Sequence, residues 1–113
     1  MERLFSYGTL QMDKVQQELF GRKLDGVEDI LMGFVISDIR IKDKEVIKTS
    51  GTDIHPILRY TGNNSDEVAG IVFEISTTEL HQADKYEVKD YMRKMVKFKS
   101  GNQGWAYVKA CQR

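Results

Sequence analysis

Residues that could hold an anion lie close to the start of the chain, where Phe-Ser-Tyr-Gly-Thr-Leu occupies residues 5–10. Gly8 lacks a Cβ, so it can adopt a positive φ and let a ligand approach the main chain, and Thr9 adds a hydroxyl donor. Backbone amides in such a turn can face an anion. The same residues also fit a strand that ends in an ordinary turn, and the motif alone leaves both interpretations open.

A carboxylate follows a predicted helix far downstream. Ser76 and Glu79 have the spacing of a capping box, so a helix should begin directly after Ser76. Leu80, Ala83 and Glu87 would then share one face of that helix, at i, i+3 and i+7. An inward carboxylate needs a partner or a raised pKa, and a glutamate with a pKa near neutrality can transfer protons. A solvated glutamate at a frayed helix end is the alternative.

Four short segments that together span most of the chain recur as an ordered set in a known family. They are Tyr7-Gly8-Thr9-Leu10, Gly70-Ile71-Val72-Phe73-Glu74-Ile75, Asp84-Lys85-Tyr86-Glu87 with Tyr91 and Arg93, and Trp105-Ala106-Tyr107-Val108. The first resembles the substrate loop of the gamma-glutamylcyclotransferase-like family, which includes the AIG2-like proteins. The others resemble its Gly-x-Val-x-x-Ile strand, its Asp-x-Tyr-Glu and Tyr-x-Arg segment, and its closing Trp-x-Tyr strand.

The resemblance implies an enzyme that releases 5-oxoproline from a γ-glutamyl compound. The α-amine of the γ-glutamyl group would attack its own γ-carbonyl and expel an amine or amino acid. Glu87 would be the catalytic general acid/base. The substrate-binding residues implied are Tyr7, Gly8, Thr9, Leu10, Arg93 and Tyr107. This chemistry needs no cofactor and no metal, and the sequence has no His, Cys and Asp cluster at ligand spacing.

Two other functions fit the same residues. One is a non-catalytic module that binds a small ligand or a partner in the same cavity, and the other is an amide hydrolase. Two departures from the family pattern leave the leaving amine unidentified. Val88 follows Glu87 where many relatives have glycine, and residues 43–64 do not match the compact Pro-Gly stretch of better-known members.

Composition fits one small domain, residues 1–113, that acts on a small molecule. Seventeen basic and seventeen acidic residues cancel, so no charge footprint indicates nucleic acid or an anionic membrane. No apolar run reaches membrane-spanning length, and the single cysteine, Cys111, cannot form an internal disulfide. We therefore expect a cytoplasmic protein in which Cys111 is a spare thiol. The sequence does not indicate an oligomeric state.

The strand pattern outweighs the helical one and predicts an α+β fold with a curled, mainly antiparallel sheet and two short helices. One helix spans residues 14–20 with Asp13 as its N-cap, and the other follows Ser76. Strands are predicted at residues 4–7, 33–41, 45–48, 57–60, 68–75, 91–99 and 105–110, and Asp43-Lys44 would join the second and third as a hairpin. The family resemblance sharpens this to a small β-barrel with the ligand cavity at one mouth.

Several further side chains have two interpretations. Tyr7 could donate its hydroxyl to the substrate or pack in the core, and Arg93 could pair with Glu87, bind a substrate carboxylate or lie on the surface. Tyr107 shares a sheet face with Trp105 and reaches the ligand if that face lines the cavity. His55, in a loop before a proline, and His81, on the polar side of the second helix, are expected to be solvated.

Overall fold

A single curled sheet carries three α-helices in the computed structural model, which describes residues 1–87 and 90–110. The strands are β1 (Glu2–Ser6), β2 (Gly26–Met32), β3 (Phe34–Arg40), β4 (Ile54–Tyr60), β5 (Glu67–Ile75), β6 (Tyr91–Lys97) and β7 (Gln103–Lys109). The helices are α1 (Asp13–Phe20), α2 (Lys44–Ser50) and α3 (Thr77–Tyr86), and one turn of 3₁₀ helix spans Thr9–Gln11. The α+β class is as predicted, but the chain has three α-helices where the sequence predicted two.

The sheet is mainly antiparallel and runs in the order β2-β5-β1-β7-β4-β3, with β6 on the other edge of β7. Strand β1 lies parallel to β7 and antiparallel to β5. The two ends of the curl approach each other where Leu31 bridges Phe98 and the Lys99 N–H donates to the Ile30 carbonyl at 2.8 Å. These few contacts join β2 to the end of β6, so the sheet forms a curled half-barrel and not the regular barrel that was expected.

The second half of strand β1 is buried on both faces, since Leu4, Phe5 and Ser6 are all buried. Leu4 packs into a cluster beneath the helices, together with Val15, Leu80 and Ala83. Phe5 points the other way into the curl, where its ring stacks on Phe98 at a centroid distance of 5.4 Å. The sequence directly after β1 is therefore anchored between two core clusters.

Helix α3 forms as its capping box predicts. The Glu79 N–H donates to the Ser76 hydroxyl at 3.1 Å, and the Ser76 N–H donates to the Glu79 carboxylate at 2.9 Å. Helix α1 begins one residue earlier than predicted: Met12 is its N-cap, and Asp13 is the first helical residue. At that position the Asp13 carboxylate still lies near the positive end of the helix dipole.

Helix α2 replaces the predicted strand at residues 45–48, so the predicted hairpin about Asp43-Lys44 is wrong. The Asp43 carboxylate accepts the N–H groups of Glu45 and Val46 at 3.0 and 3.4 Å, which caps the helix. Gly51 ends it in the left-handed conformation, with φ of 81°. Local capping and the burial of Val46 thus prevail over the β-branched composition of this segment.

Two strands differ from the sequence prediction. Strand β2 was not predicted, because its Glu28 and Asp29 break the apolar alternation, but it pairs along its whole length with β5 at one edge of the sheet. Strand β4 begins at Ile54 and includes Pro56, where a loop was expected. This extension includes His55 and Pro56, which line the cleft at the end of β1. None of the described helices combines the length and apolar character needed to cross a membrane.

Candidate active site

A narrow cleft opens where β1 runs into the 3₁₀ turn, and its cavity volume is only about 20 Å³. Residues 5–10 line it together with residues of β4, β6 and β7 and with Glu87, which follows α3. The lining residues are Phe5, Ser6, Tyr7, Gly8, Thr9, Leu10, His55, Pro56, Glu87, Tyr91 and Tyr107. The structure thus brings together five of the six expected substrate-binding residues and Glu87.

The turn after β1 needs glycine because of close packing. Gly8 has φ of −145°, so the expected positive φ is wrong. A Cβ on Gly8 would lie 2.8 Å from Pro56 Cγ across the cleft, closer than two carbon atoms can approach. The Gln11 N–H closes the turn on the Gly8 carbonyl at 3.0 Å, and the Gln11 side chain donates to the Ser6 carbonyl at 2.6 Å. Pro56 and the turn therefore fix the width of the cleft together.

Glu87 stands one residue beyond the end of α3, not inside the helix as its predicted i+7 position implied. Its backbone is extended, with φ of −72° and ψ of 133°, while its N–H still donates to the Ala83 carbonyl at 3.1 Å. The side chain is partly buried and lines the cleft. Burial raises the pKa of the Glu87 carboxyl to about 8, and the negative charge of Asp84 contributes in the same direction. A carboxyl with this pKa can donate or accept a proton near neutral pH.

Asp84 is the hub of a polar network behind Glu87. Its carboxylate accepts the Tyr107 hydroxyl at 2.6 Å and the Arg93 guanidinium at 2.9 and 3.1 Å. The same guanidinium lies over the ring of Trp105, 4.3 Å from its centroid. Arg93 is not among the residues that line the cleft. Of its interpretations, the pairing with Glu87 is wrong, because Asp84 binds the guanidinium. The network fixes a negative charge close to Glu87.

Three tyrosines line the cleft with their hydroxyl hydrogens already committed. Tyr7 donates to the Tyr107 carbonyl at 2.6 Å, and Tyr91 donates to the Pro56 carbonyl at 2.7 Å. The Tyr107 hydroxyl donates to Asp84 as described above. Burial is the largest cause that raises the pKa of all three phenols well above the ordinary value, so each stays neutral. Each phenol oxygen can still accept a hydrogen bond.

His55 is buried, with 3% of its surface exposed, which corrects the expectation of a solvated loop residue. Its Nε2 atom lies 3.0 Å from the Ser50 hydroxyl and 3.1 Å from the Thr52 carbonyl. Burial lowers the pKa of the imidazole, so the ring is neutral at neutral pH. His81, in contrast, is exposed on α3 as expected.

The family model described as Gamma-glutamyl cyclotransferase, AIG2-like matches residues 4–113. The chain belongs to the gamma-glutamyl cyclotransferase, AIG2-like family. No curated protein matches the sequence of this family member. Solved structures do match its fold.

At3g28950.1 from Arabidopsis thaliana superposes with a TM-score of 0.71 at 22% identity, over 96% of this chain and 61% of that protein. A solved gamma-glutamyl cyclotransferase gives a TM-score of 0.70 at 14% identity, over 96% of this chain and 66% of that one. PH0828 from Pyrococcus horikoshii gives 0.62 at 17% identity, over 99% and 80% of the two chains. At these identities the likeness shows the fold, and this AIG2-like chain spans about three fifths of the length of At3g28950.1.

Sequence reasoning gave no role to three residues that shape the site of this AIG2-like protein. Asp84 and Tyr91 stand in the motif that carries the family resemblance, but their partners lie on other elements, so spacing along the chain did not indicate their contacts. His55 was assigned to a loop because a proline follows it. The expectations for Val88 and Cys111 concern residues that lie outside the described part of the chain.

The site offers few ligands for a metal ion. Within residues 1–87 and 90–110, no group of three or more His, Cys, Asp or Glu side chains is arranged to hold one. Glu87 and His55 are the ionisable lining residues other than the tyrosines.

Proposed function

We propose that this protein is a gamma-glutamylcyclotransferase-type enzyme that converts a γ-glutamyl compound into 5-oxoproline and a free amine or amino acid. The proposal rests above all on one observation: the Glu87 carboxyl, with its pKa raised to about 8, lines the same cleft as the turn at residues 7–10. Family membership supports the reaction class. A group that must take and return a proton in one catalytic cycle works best with a pKa near the working pH.

In this mechanism Glu87 handles both proton transfers. At pH 7 a carboxyl with pKa of about 8 is mostly protonated, and the positive charge of a bound α-ammonium favours its ionised form. Ionised Glu87 takes a proton from the ammonium, and the freed amine forms the new C–N bond at the γ-carbonyl carbon. Glu87 returns that proton to the leaving nitrogen as the original C–N bond of the tetrahedral intermediate breaks. The second hydrogen that the new ring nitrogen must lose passes to the released amine, which departs as an ammonium ion.

The turn at Gly8, Thr9 and Leu10 supplies hydrogen-bond donors for negative charge. The first N–H groups of a helical turn have no carbonyl partner within that turn, so they can bind the substrate α-carboxylate or the developing oxyanion. Pro56 packs against Gly8 on the other side and keeps the turn in place. Holding the flexible γ-glutamyl chain folded between these walls would bring the amine and carbonyl into reacting distance.

A turnover assay with a panel of γ-glutamyl amines and γ-glutamyl amino acids tests the proposal. We expect release of 5-oxoproline from at least one compound by the purified protein, detected by mass spectrometry. Glu87→Gln should lower that turnover roughly a hundredfold or more, as general acid/base loss typically does. Glu18→Gln, an exposed substitution on α1, is the matched control and should leave turnover unchanged.

The alternative functions give different results in the same assay. A binding module would hold a γ-glutamyl compound tightly and release neither amine nor 5-oxoproline. A hydrolase would release the amine together with glutamate. Unchanged 5-oxoproline release by Glu87→Gln would remove this residue from the mechanism.

A further inference from the structure

Three tyrosines and His55 line the cleft, and together they form an acceptor wall that offers a ligand lone pairs and no free hydrogens. The hydroxyl hydrogens of Tyr7, Tyr91 and Tyr107 point to the Tyr107 carbonyl, the Pro56 carbonyl and the Asp84 carboxylate. A phenol has one hydrogen and two lone pairs, so each oxygen now acts only as an acceptor. This wall therefore suits a ligand group that is rich in donors.

His55 belongs to the same wall, and its hydrogen bonds define its tautomer. The Thr52 carbonyl, 3.1 Å from Nε2, can only accept a hydrogen bond, so this network assigns the hydrogen of the neutral ring to Nε2. The Ser50 hydroxyl donates to the Val46 carbonyl at 2.9 Å and can accept from the same Nε2–H. Nδ1 is consequently the unprotonated nitrogen of a neutral imidazole.

Nδ1 is the ring nitrogen of His55 that remains available to a ligand. It has no hydrogen-bond partner among the described residues. Over the same residues, every fully buried side-chain nitrogen or oxygen atom has a partner. Nδ1 must therefore keep contact with solvent although the residue is only 3% exposed, and His55 lines the cleft. A lone pair is thus presented to any ligand that enters.

We infer that His55 Nδ1 accepts a hydrogen bond from the α-ammonium group of the γ-glutamyl ligand. This inference rests on the proposed function for the identity of the ligand. An ammonium supplies three N–H donors and a positive charge, which match the acceptor oxygens of Tyr7 and Tyr91 as well as Nδ1. A carboxylate at the same position would face only lone pairs and would be rejected. The donor-rich turn at residues 8–10 lines the same cleft, so the cleft offers groups for both charges of a zwitterion.

This contact would orient the nucleophile without taking its proton. One N–H of the ammonium stays hydrogen-bonded to Nδ1 while another of its hydrogens passes to Glu87. The nitrogen lone pair that this frees can attack the γ-carbonyl. Because His55 is fixed by Ser50 and Thr52, the ammonium would be held with little loss of side-chain entropy on binding. His55 is then a binding residue that selects compounds with a free α-amine.

Two substitutions separate the two ring nitrogens. His55→Gln keeps a donor in the place of Nε2 and removes the acceptor at Nδ1, whereas His55→Asn keeps an acceptor near Nδ1 and loses the bond to Thr52. Both are made in the Glu87→Gln protein, so that ligands are not consumed. The probes are γ-glutamylmethylamide and the monomethylamide of glutaric acid, which differ only in the α-ammonium, and calorimetry measures their dissociation constants.

We expect the Glu87→Gln protein to bind the ammonium-bearing compound at least roughly tenfold more tightly, the lower end for a hydrogen bond to a charged group. Adding His55→Gln should reduce this preference to about threefold or less and leave binding of the glutaric acid compound unchanged, while His55→Asn should retain more of it. A full preference in His55→Gln would overturn the inference. No measurable binding of either compound by the Glu87→Gln protein would overturn it as well.

The turnover assay is scored separately from binding. If the preference for the ammonium-bearing compound depends on His55 but no 5-oxoproline is ever released, the proposed function is wrong and this inference stands. If 5-oxoproline is released but His55→Gln does not change the preference for the ammonium-bearing compound, the proposed function stands and this inference is wrong. The two proposals can therefore fail independently.

A second measurement decides the question if His55→Gln does not fold, as its thermal unfolding would reveal. The Glu87→Gln protein is labelled with ¹⁵N-histidine, and the ring nitrogens of His55 are followed by NMR. We expect the Nδ1 signal to shift when γ-glutamylmethylamide binds and to shift much less with the glutaric acid compound. Equal shifts with both compounds would contradict an ammonium contact at Nδ1.

Discussion

The two ends of helix α3 each carry a glutamate, and the two carboxyl groups have opposite acidities. Glu79 at the first turn accepts hydrogen bonds from the Arg22 guanidinium at 2.8 and 2.9 Å and from the Ser76 N–H at 2.9 Å. The Arg22 hydrogen bonds are the largest cause that lowers the pKa of Glu79, to about 2. Glu87 just beyond the last turn has its pKa raised to about 8.

The difference between these two glutamates comes from their neighbours and not from their exposure alone. Both side chains are partly buried. Hydrogen-bond donors and the positive end of the helix dipole surround Glu79. Burial is the largest cause that raises the pKa of Glu87, and the Asp84 charge adds to it. Among the described residues, none donates a hydrogen bond to the Glu87 carboxyl. One helix thus carries a carboxylate that stabilises the fold at its start and a carboxyl available for proton transfer at its end.

Exchanging each glutamate for glutamine should reveal the largest functional difference between the two ends of α3. Glu87→Gln removes the proton-transfer group and should lower 5-oxoproline release roughly a hundredfold or more, which corresponds to about 3 kcal/mol or more of transition-state stabilisation. Glu79→Gln, on the same helix, should change turnover by less than about twofold. Steady-state kinetics of both variants decides this. Equal losses in the two would mean that α3 has only a structural role.

The pH dependence of folding should separate the wild type from Glu87→Gln. The folded-state pKa of about 8 exceeds the ordinary 4.5, so between these values the folded protein holds a proton that the unfolded chain has released. The contribution of Glu87 to the free energy of unfolding is therefore complete below pH 4.5 and is lost as pH rises through about 8.

Urea unfolding at pH 5 and pH 8 measures this contribution. The wild type should lose on the order of 3 kcal/mol more than Glu87→Gln over that interval, since one pKa unit corresponds to about 1.4 kcal/mol. Other titrating groups are common to both proteins and cancel in the difference. Parallel curves for the two proteins would show that the folded state does not hold the Glu87 proton.

Removing the Asp84 charge should lower the pKa of Glu87 and so bring it closer to that of Glu79. Asp84→Asn removes a negative charge that raises the pKa of Glu87 and leaves the Arg93 guanidinium without its partner. We expect the acid limb of the kcat/KM profile to move to lower pH. Loss of the bonds to Arg93 and Tyr107 should also cost about 1–3 kcal/mol of stability.

A matched control for Asp84 is Asp38→Asn, since Asp38 is exposed on β3. This control should leave both the pH profile and the free energy of unfolding unchanged. If the acid limb of the kcat/KM profile does not move in Asp84→Asn, the raised pKa of Glu87 results from burial alone. The pH profile distinguishes an electrostatic role of Asp84 from a purely structural one, which would change only stability.

The first end of α3 could be predicted from sequence because its determinants are local. Ser76 and Glu79 exchange two hydrogen bonds within one turn, so their spacing of three residues is enough to predict where the helix begins. Asp43 and Gly51 gave equally local signals for α2, but the β-branched residues between them favoured a strand. The lesson is that capping residues outweigh propensity in such short segments.

The second end of α3 depends on contacts that span the chain, and spacing could not reveal them. Asp84 meets Tyr107 on β7 at a separation of 23 residues, and Tyr91 on β6 meets Pro56 on β4 at a separation of 35. The motif residues left open a pairing of Arg93 with Glu87, and their spacing did not indicate that Asp84 would occupy the Arg93 guanidinium instead. His55 entered the cleft because β4 accommodates a proline inside the sheet, which is uncommon.

The smallest effect should come from the stabilising glutamate. Glutamine also fits the third position of a capping box, so Glu79→Gln keeps the bond to Ser76 and loses mainly the charge pairing with Arg22. Arg22 is 43% exposed, so we expect a loss of only about 0.5–1 kcal/mol at pH 7.

The sign of the pH dependence at Glu79 is opposite to that at Glu87. Its folded-state pKa of about 2 lies below the ordinary 4.5, so its contribution is present above pH 4.5 and is lost as pH falls towards 2. Thermal unfolding at pH 7 and pH 3 should therefore show a smaller gap between Glu79→Gln and the wild type at the lower pH. An undiminished gap would mean that glutamine disrupts the capping box itself, because loss of packing does not titrate, whereas loss of an ion pair does.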